Sequence, residues 1–253
     1  MPNVIACFKW VIDEAYVKAS SSGELSFDRV DYKISDYDKN AIEEAVRIRE
    51  QHGGDVAAVT IGMSGASKGV KDALSRGADR VFFVSDPSLA GAEPLETASI
   101  LAEVIRTRTE FDLVICGEGS SDLYAQQVGP ALAEMLDLPS ICNVSKLFLS
   151  GKQVEAERKV EDGVEIINAT LPVLITVAPD INTPRIPGMK DTLGAAKKPV
   201  INIELAELKE TYAPTLETVG MKAAAMERNG LKFSSDPEGI SAFVSALVKT
   251  GML

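Results

Sequence analysis

Leu113 to Gly129 reads L-V-I-C-G-E-G-S-S-D-L-Y-A-Q-Q-V-G: an apolar run, a Gly/Ser turn, and a continuation with helical character. A strand that ends in small residues before a helix leaves first-turn N–H groups free. With the positive end of the helix dipole, they suit a phosphate or pyrophosphate. The spacing predicts a helix starting near Leu123, with Ser121 and Asp122 available as caps and Ser120 free to turn its hydroxyl toward an anion. Gln126 and Gln127 then place neutral amide donors on the first two turns. Taken singly, the pattern suits an ordinary strand-to-helix connection equally well.

Outward from this stretch, short apolar runs at Val4–Phe8, Val56–Ile61, Arg80–Val84 and Val173–Val177 repeat the character of Leu113–Cys116. Each reads as a buried strand of a parallel sheet. Helical periods lie between them at Asn40–Gln51, stopped by Gly53-Gly54, and at Lys68–Ser75, Leu95–Arg106 and Gln126–Leu136. The alternation predicts a doubly wound, mostly parallel α/β fold. Gly23–Lys33 and Lys146–Ala169 break it and read as hairpin strands of a small antiparallel patch, the second turning at Ser150-Gly151 and Asp162-Gly163.

After Pro199 sheet character is lost until an amphipathic helix at Pro237–Lys249. The expected organisation is an α/β domain over 1–199 and an extended C-terminal arm over 200–253. Ile240, Phe243, Val244, Leu247 and Val248 make the arm too apolar to stay solvated, so it folds back on its own domain or wraps a partner subunit.

Composition narrows the chemistry. The chain has 253 residues, 45% of them hydrophobic, enough for a substantial core, and a net charge of -11 that opposes nucleic acid or an anionic membrane as main partner. A single histidine, His52, leaves little room for His-based triads or His metal sites. Cys7, Cys116 and Cys142 are odd in number, distant in sequence and set among apolar residues, so they read as buried thiols of a cytoplasmic protein. Neither a secretion signal nor a membrane span is expected. The strand ends gather Cys7, Phe8, Lys9, Ile61, Gly62 and Gly117–Asp122 along one sheet edge, where an open α/β sheet binds ligands.

Several longer motifs resemble the beta subunit of electron-transfer flavoproteins, especially its Fix-type branch associated with anaerobic or carnitine-type metabolism. They are V-I-D at Val11–Asp13, I-S-D-Y-D-K-N-A-I-E-E-A at Ile34–Ala45, A-L-S-R-G-A-D at Ala73–Asp79, C-G-E-G-S-S-D-L-Y-A-Q-Q-V-G at Cys116–Gly129, L-P at Leu171-Pro172, and D-I-N-T-P-R-I-P-G-M-K-D-T-L-G-A-A-K-K-P at Asp180–Pro199. The resemblance covers essentially the whole chain. It implies an adenine-nucleotide alpha-hydrolase-like fold and a heterodimer whose alpha subunit carries the redox FAD. This chain would then bind an adenine nucleotide and be an electron-carrier subunit without catalytic or metal-ligating residues of its own.

The resemblance implies specific residues. The phosphate falls on Ser120 through Val128, including Asp122, Leu123, Gln126, Gln127 and Val128, and the adenine end lies near Cys7, Ser35 and Ile61. A recognition loop over Pro184–Leu193 places Met189 as an apolar anchor for an acyl-CoA-type or related dehydrogenase, with Arg185 fixing the loop or reaching toward the alpha-subunit flavin. Methionine suits an adaptable anchor. The nucleotide is AMP or a second FAD, the latter permitting NADH-oxidising electron bifurcation. Gly91–Ala98 matches the second-flavin branch in part, keeping Thr97 but carrying Pro94 and Glu96. Two other classes stay open: a stand-alone AMP- or ATP-binding regulator of the universal-stress type, and a thiol enzyme using Cys116.

Overall fold

The computed structural model describes residues 1–209, 216, 218–224 and 230–253. In chain order the strands begin with β1 (Asn3–Cys7), β2 (Trp10–Ile12), β3 (Lys18–Ala19), β4 (Leu25–Ser26) and β5 (Tyr32–Ile34). Helix α1 (Asp36–His52), β6 (Asp55–Gly62), α2 (Ser67–Ser75), β7 (Arg80–Ser85), α3 (Pro94–Arg108) and β8 (Leu113–Gly117) follow in alternation. Next come α4 (Val128–Met135), β9 (Ser140–Ser150), β10 (Gln153–Val160), β11 (Gly163–Thr170), β12 (Val173–Val177), α5 (Met189–Ala195), β13 (Val200–Ile203) and α6 (Pro237–Lys249).

One nine-stranded sheet has the order β11-β10-β9-β12-β8-β1-β6-β7-β13. Its centre is parallel and its strands are buried on both faces, which explains runs such as V-L-I-T-V that show no alternation. One face is covered by α1 and α2 through Ile42, Val46, Val70 and Leu74. The other is covered by α3 and α4 through Ile100, Leu101, Val104 and Leu132. The α/β, mostly parallel reading is therefore borne out.

Three expectations about particular segments need correction. The antiparallel strands β10 and β11 do not sit beside the main sheet. They extend it, because β9 pairs parallel with β12 along its first half and antiparallel with β10. Gly23–Lys33 carries two short strands rather than one run: Leu25–Ser26 pairs with Lys18–Ala19 and Tyr32–Ile34 pairs antiparallel with Trp10–Ile12, each a small two-stranded sheet, with Arg29 between them at φ +57. Sheet character also continues past Pro199, since V-I-N-I at Val200–Ile203 adds a parallel edge strand to β7.

Two compact units are distinguishable, one of Met1–Lys18 with Ser26–Gly220 and one of Ala19–Leu25 with Met221–Leu253. In the second, Asp236 caps α6 by accepting the Gly239 N–H at 2.7 Å, and the helix exposes Ile240, Phe243, Val244 and Val248. The expectation of an irregular arm falls partly on 210–215, 217 and 225–229, outside the described residues. Among the described residues no helix is long and apolar enough to cross a membrane.

Candidate functional site

In this sheet order the chain runs from β1 outward through β6 and β7, then returns to β8 on the other side of β1. The reversal leaves a crevice at the carboxyl ends of β1 and β8, the place where open α/β sheets take ligands. Cys7, Ser35 and the loop after Gly117 meet there. Ile61 lies at the end of β6, the next strand over.

The close approach of α1 to β8 depends on Gly117. A Cβ there would lie 2.6 Å from the Asp38 carboxylate and 2.8 Å from the Tyr37 Cβ. Asp38, buried in the first turn of α1, uses this approach to bind both strand ends. Its carboxylate accepts the Lys9 N–H at 2.8 Å and the Gly117 N–H at 3.2 Å. Burial pushes its carboxyl up to about 7 against the pull of those two donors.

The following loop does not enter a helix near Leu123, as the sequence suggested. Tyr124 and Gln126 have φ +48 and +57, so helical hydrogen bonding cannot propagate, and α4 begins only at Val128. Ser121 and Asp122 therefore cap nothing. The Ser121 N–H donates to the Ser35 hydroxyl at 3.2 Å, while the Ser121 hydroxyl is buried without a partner among the described residues. Asp122 accepts from Lys9 Nζ at 2.7 Å, which straps the loop to the end of β1. Although burial opposes it, bonds from Lys9 and Ser120 hold the Asp122 carboxyl below its usual range. Tyr124 donates its hydroxyl to Glu118 and packs on Tyr37 with ring centroids 5.1 Å apart; that bond raises the phenol to about 12.

These contacts leave something specific at the loop's end. Gln126 is left-handed and Gln127 right-handed (φ -107, ψ -32), an alternation that turns successive N–H groups toward one side, the geometry of an anion-binding concavity. The Gln126, Gln127 and Val128 N–H groups make no hydrogen bond among the described residues, and the α4 dipole adds to the field there. Gly129 lets α4 sit close to the sheet: a Cβ would meet the Thr176 methyl at 2.4 Å. A cavity of about 290 Å³ opens beside the loop, lined by Tyr37, Ser120, Ser121, Tyr124 and Pro179 and, at its acidic side, by Glu14 and Asp36. Thr97 lies in the first turn of α3, the helix that packs beside α4 on the same face of the sheet.

Cys7 and Cys116 stand side by side on β1 and β8, both buried. The neighbouring Cys7 thiol, then burial, push Cys116 well above the ordinary thiol range, which removes the thiolate that a nucleophile needs. Among the described residues no cluster of metal-ligating side chains occurs.

A second region built on α1 concerns 179–198. Asn40 and Asn182 exchange bonds between side chains and carbonyls, and Asn182 also donates to Glu44 at 2.9 Å. Arg185 spends its guanidinium on Glu43 and Glu50 at 2.8 to 3.2 Å, its N–H on Glu43 at 3.0 Å, and its carbonyl accepts from Arg76. The guanidinium is thus committed within the chain and fixes the loop root. Beyond this clamp Ile186, Met189 and Leu193 are 93%, 83% and 68% exposed.

Asp38 at the first region and Glu43 and Glu50 at the second are not singled out by the sequence, which places Lys9 and Glu118 on the strand-end edge and Tyr124 within the Ser120–Val128 run without revealing their partners. Asp38 and Glu43 lie inside the motif at Ile34–Ala45, but their partners are remote in sequence and no local spacing reveals them. The family model for the electron transfer flavoprotein domain matches residues 24–208, which takes in the strand-end loop, the clamp and every strand of the main sheet but β1. The chain belongs to the electron transfer flavoprotein family.

Proposed function

We propose that this chain is the beta-type subunit of a heterodimeric electron-transfer flavoprotein, that it holds an adenine nucleotide at the Glu118–Val128 loop, and that it docks an acyl-CoA-type dehydrogenase through Met189. Members of the family are electron carriers rather than classical enzymes and generally bind flavin. The observation that carries the reading is the set of unengaged N–H groups at Gln126, Gln127 and Val128, beside the switch point of the sheet. Such donors suit a phosphate or pyrophosphate, and the Ser121 hydroxyl supplies one further polar group.

The recognition is mainly through backbone. Gln126 and Gln127 are exposed, so their side chains add less than the sequence spacing suggests. The same pyrophosphate-binding backbone serves AMP or a second FAD. In the complex the alpha subunit's FAD supplies the one- and two-electron chemistry, while this chain's residues bind, orient and brace. Burying the Met189 side chain in a partner pocket would contribute about 1.5–3 kcal/mol.

The test is composition. The chain is co-expressed with its alpha subunit, purified gently, and acid-released flavin and AMP are counted per heterodimer. One flavin plus one AMP supports the electron-carrier reading, and two flavins support the bifurcating one. A chain that remains a soluble, nucleotide-responsive monomer or homodimer and acquires no yellow partner would replace both with the regulator reading.

A further inference from the structure

Among the described residues five that are not glycine have a left-handed φ, and two of them, Tyr124 and Gln126, lie two positions apart in the loop that carries the unengaged N–H groups. Side chains rarely adopt that conformation, and it persists only where the surroundings impose it. Pro130, in the first turn of α4, has no N–H to lose there, but it bars α4 from extending back through the loop. It excludes the helix without choosing among the other conformations. Tyr124 makes that choice. Its N–H donates to the Ser120 carbonyl at 2.9 Å, its ring packs on Tyr37, and its hydroxyl donates to Glu118. Glu118 is itself held at the end of the sheet, since its N–H donates to the Val177 carbonyl at 3.0 Å. Gly119 makes room: a Cβ there would lie 2.7 Å from the Tyr124 ring.

We propose that Tyr124 is a positioning residue for the anion site: its bond to Glu118 holds the loop in the left-handed form that turns the Gln126, Gln127 and Val128 N–H groups to one side, so the cradle stands formed before an anion arrives. This rests on the nucleotide reading above and adds what keeps that site in its binding form. Backbone donors recognise a phosphate only when several converge on it. A loop free to return to the commoner backbone wells would spread them. A ligand that binds one form alone loses affinity as that form becomes scarce, so a fall from nearly full to about one-tenth occupancy raises the apparent dissociation constant about tenfold. The phenol, raised to about 12 chiefly by its bond to Glu118, keeps its proton and remains the donor through the neutral range. Because the hydroxyl is spent on Glu118, its effect on binding runs through the shape of the loop.

The experiment uses the assembled flavoprotein, stripped of this chain's nucleotide by dialysis and titrated with AMP and, in parallel, with FAD. Wild type is compared with Tyr124→Phe, Glu118→Gln, Glu118→Ala and the double variant Tyr124→Phe with Glu118→Ala, each checked for cooperative urea unfolding. Amide hydrogen exchange at Gln126, Gln127 and Val128 is followed with and without ligand. Tyr124→Phe keeps the ring and loses only the hydroxyl, and it is expected to bind about tenfold more weakly. Glu118→Gln, whose amide oxygen still accepts the bond, should stay within about twofold of wild type, Glu118→Ala should match Tyr124→Phe, and the double variant should be no weaker than either single one. A Tyr124→Phe variant that unfolds at lower urea but binds within about twofold of wild type would show a bond that serves stability alone and would overturn the proposal. Additive losses in the double variant, or a Glu118→Gln as weak as Glu118→Ala, would overturn it too. If neither AMP nor FAD protects the Gln126–Val128 amides of the wild type, the nucleotide reading falls and the proposal with it. Protection in the wild type beside an unaffected Tyr124→Phe undoes the role of Tyr124 alone.

Discussion

The Glu118–Gln127 loop and the 179–186 segment are both irregular, and both are tied to α1, yet they leave opposite things unfinished. Around the loop Asp122 is engaged with Lys9 and Tyr124 with Glu118, while backbone N–H groups at its end have no partner among the described residues. In the 179–186 segment the polar groups are engaged, Asn182 with Asn40 and Glu44 and Arg185 with Glu43 and Glu50, while apolar side chains beyond it are free. Unspent donors suit an anion and unspent apolar area suits a protein, and this difference is the ground for proposing a different occupant for each region.

The sharpest way to break this contrast is at Gly129. A valine there drives its side chain into Thr176 and lifts α4, with an expected loss of about 3 kcal/mol in urea unfolding together with loss of bound nucleotide. A variant with wild-type midpoint and nucleotide content would show that α4 does not need its close seat.

Second comes pH, where the two regions carry opposite signs. Asp38, raised to about 7, binds a proton in the folded chain at pH values where an unfolded aspartate, near 3.9, does not. Its contribution makes stability fall as pH rises between those values, by up to about 1.4 kcal/mol per pH unit, and level off above them. Glu43, where Arg185 overcomes burial, and Glu50, where Arg185 acts directly, are held below the usual carboxylate range. Their contribution is present above the ordinary glutamate value and is lost on acidification. Urea unfolding of wild type and Asp38→Asn from about pH 5 to about pH 8 reads the difference, with the variant expected to lack the decline. Parallel curves would mean that Asp38 does not titrate there.

A smaller effect is expected from Glu43→Gln. The charge of a buried carboxylate facing the partly exposed Arg185 is removed, at about 1.5 kcal/mol, and tryptic cleavage after Arg185 or Lys190 should quicken while nucleotide content stays constant. If nucleotide content falls together with cleavage resistance, the two regions are not separable. Lys9→Met is the mildest. The Lys9–Asp122 pair is partly exposed, so about 0.5 kcal/mol is at stake, and the expected sign is faster nucleotide release in a dialysis time course.

Much of this contrast was legible in the sequence, unevenly. Central strands such as Leu113–Gly117 and Val173–Val177 are short β-branched runs whose pattern specifies a doubly buried position without knowledge of their neighbours. Helix α6 declares itself through its 3.6-residue periodicity and its Asp236–Pro237 start. Edge elements were harder: Val200–Ile203 is too short and too exposed to stand out, and becomes a strand because β7 offers it an open edge. The loop after Gly117 misled because Asp-Leu-Tyr-Ala-Gln-Gln has ordinary helix-forming composition. The Tyr124 bond to Glu118 and its packing on Tyr37 favour a left-handed turn that propensity alone does not produce.

By itself, then, the sequence determined the order and type of the central elements and the motifs that mark the family, because local pattern suffices for these. The tertiary structure alone decided that Asp38 joins two strand ends, that α4 begins at Val128, and that Arg185 is spent on Glu43 and Glu50. Each of those facts is a contact or a vacancy between segments tens to more than a hundred residues apart, and only folding brings such segments within reach.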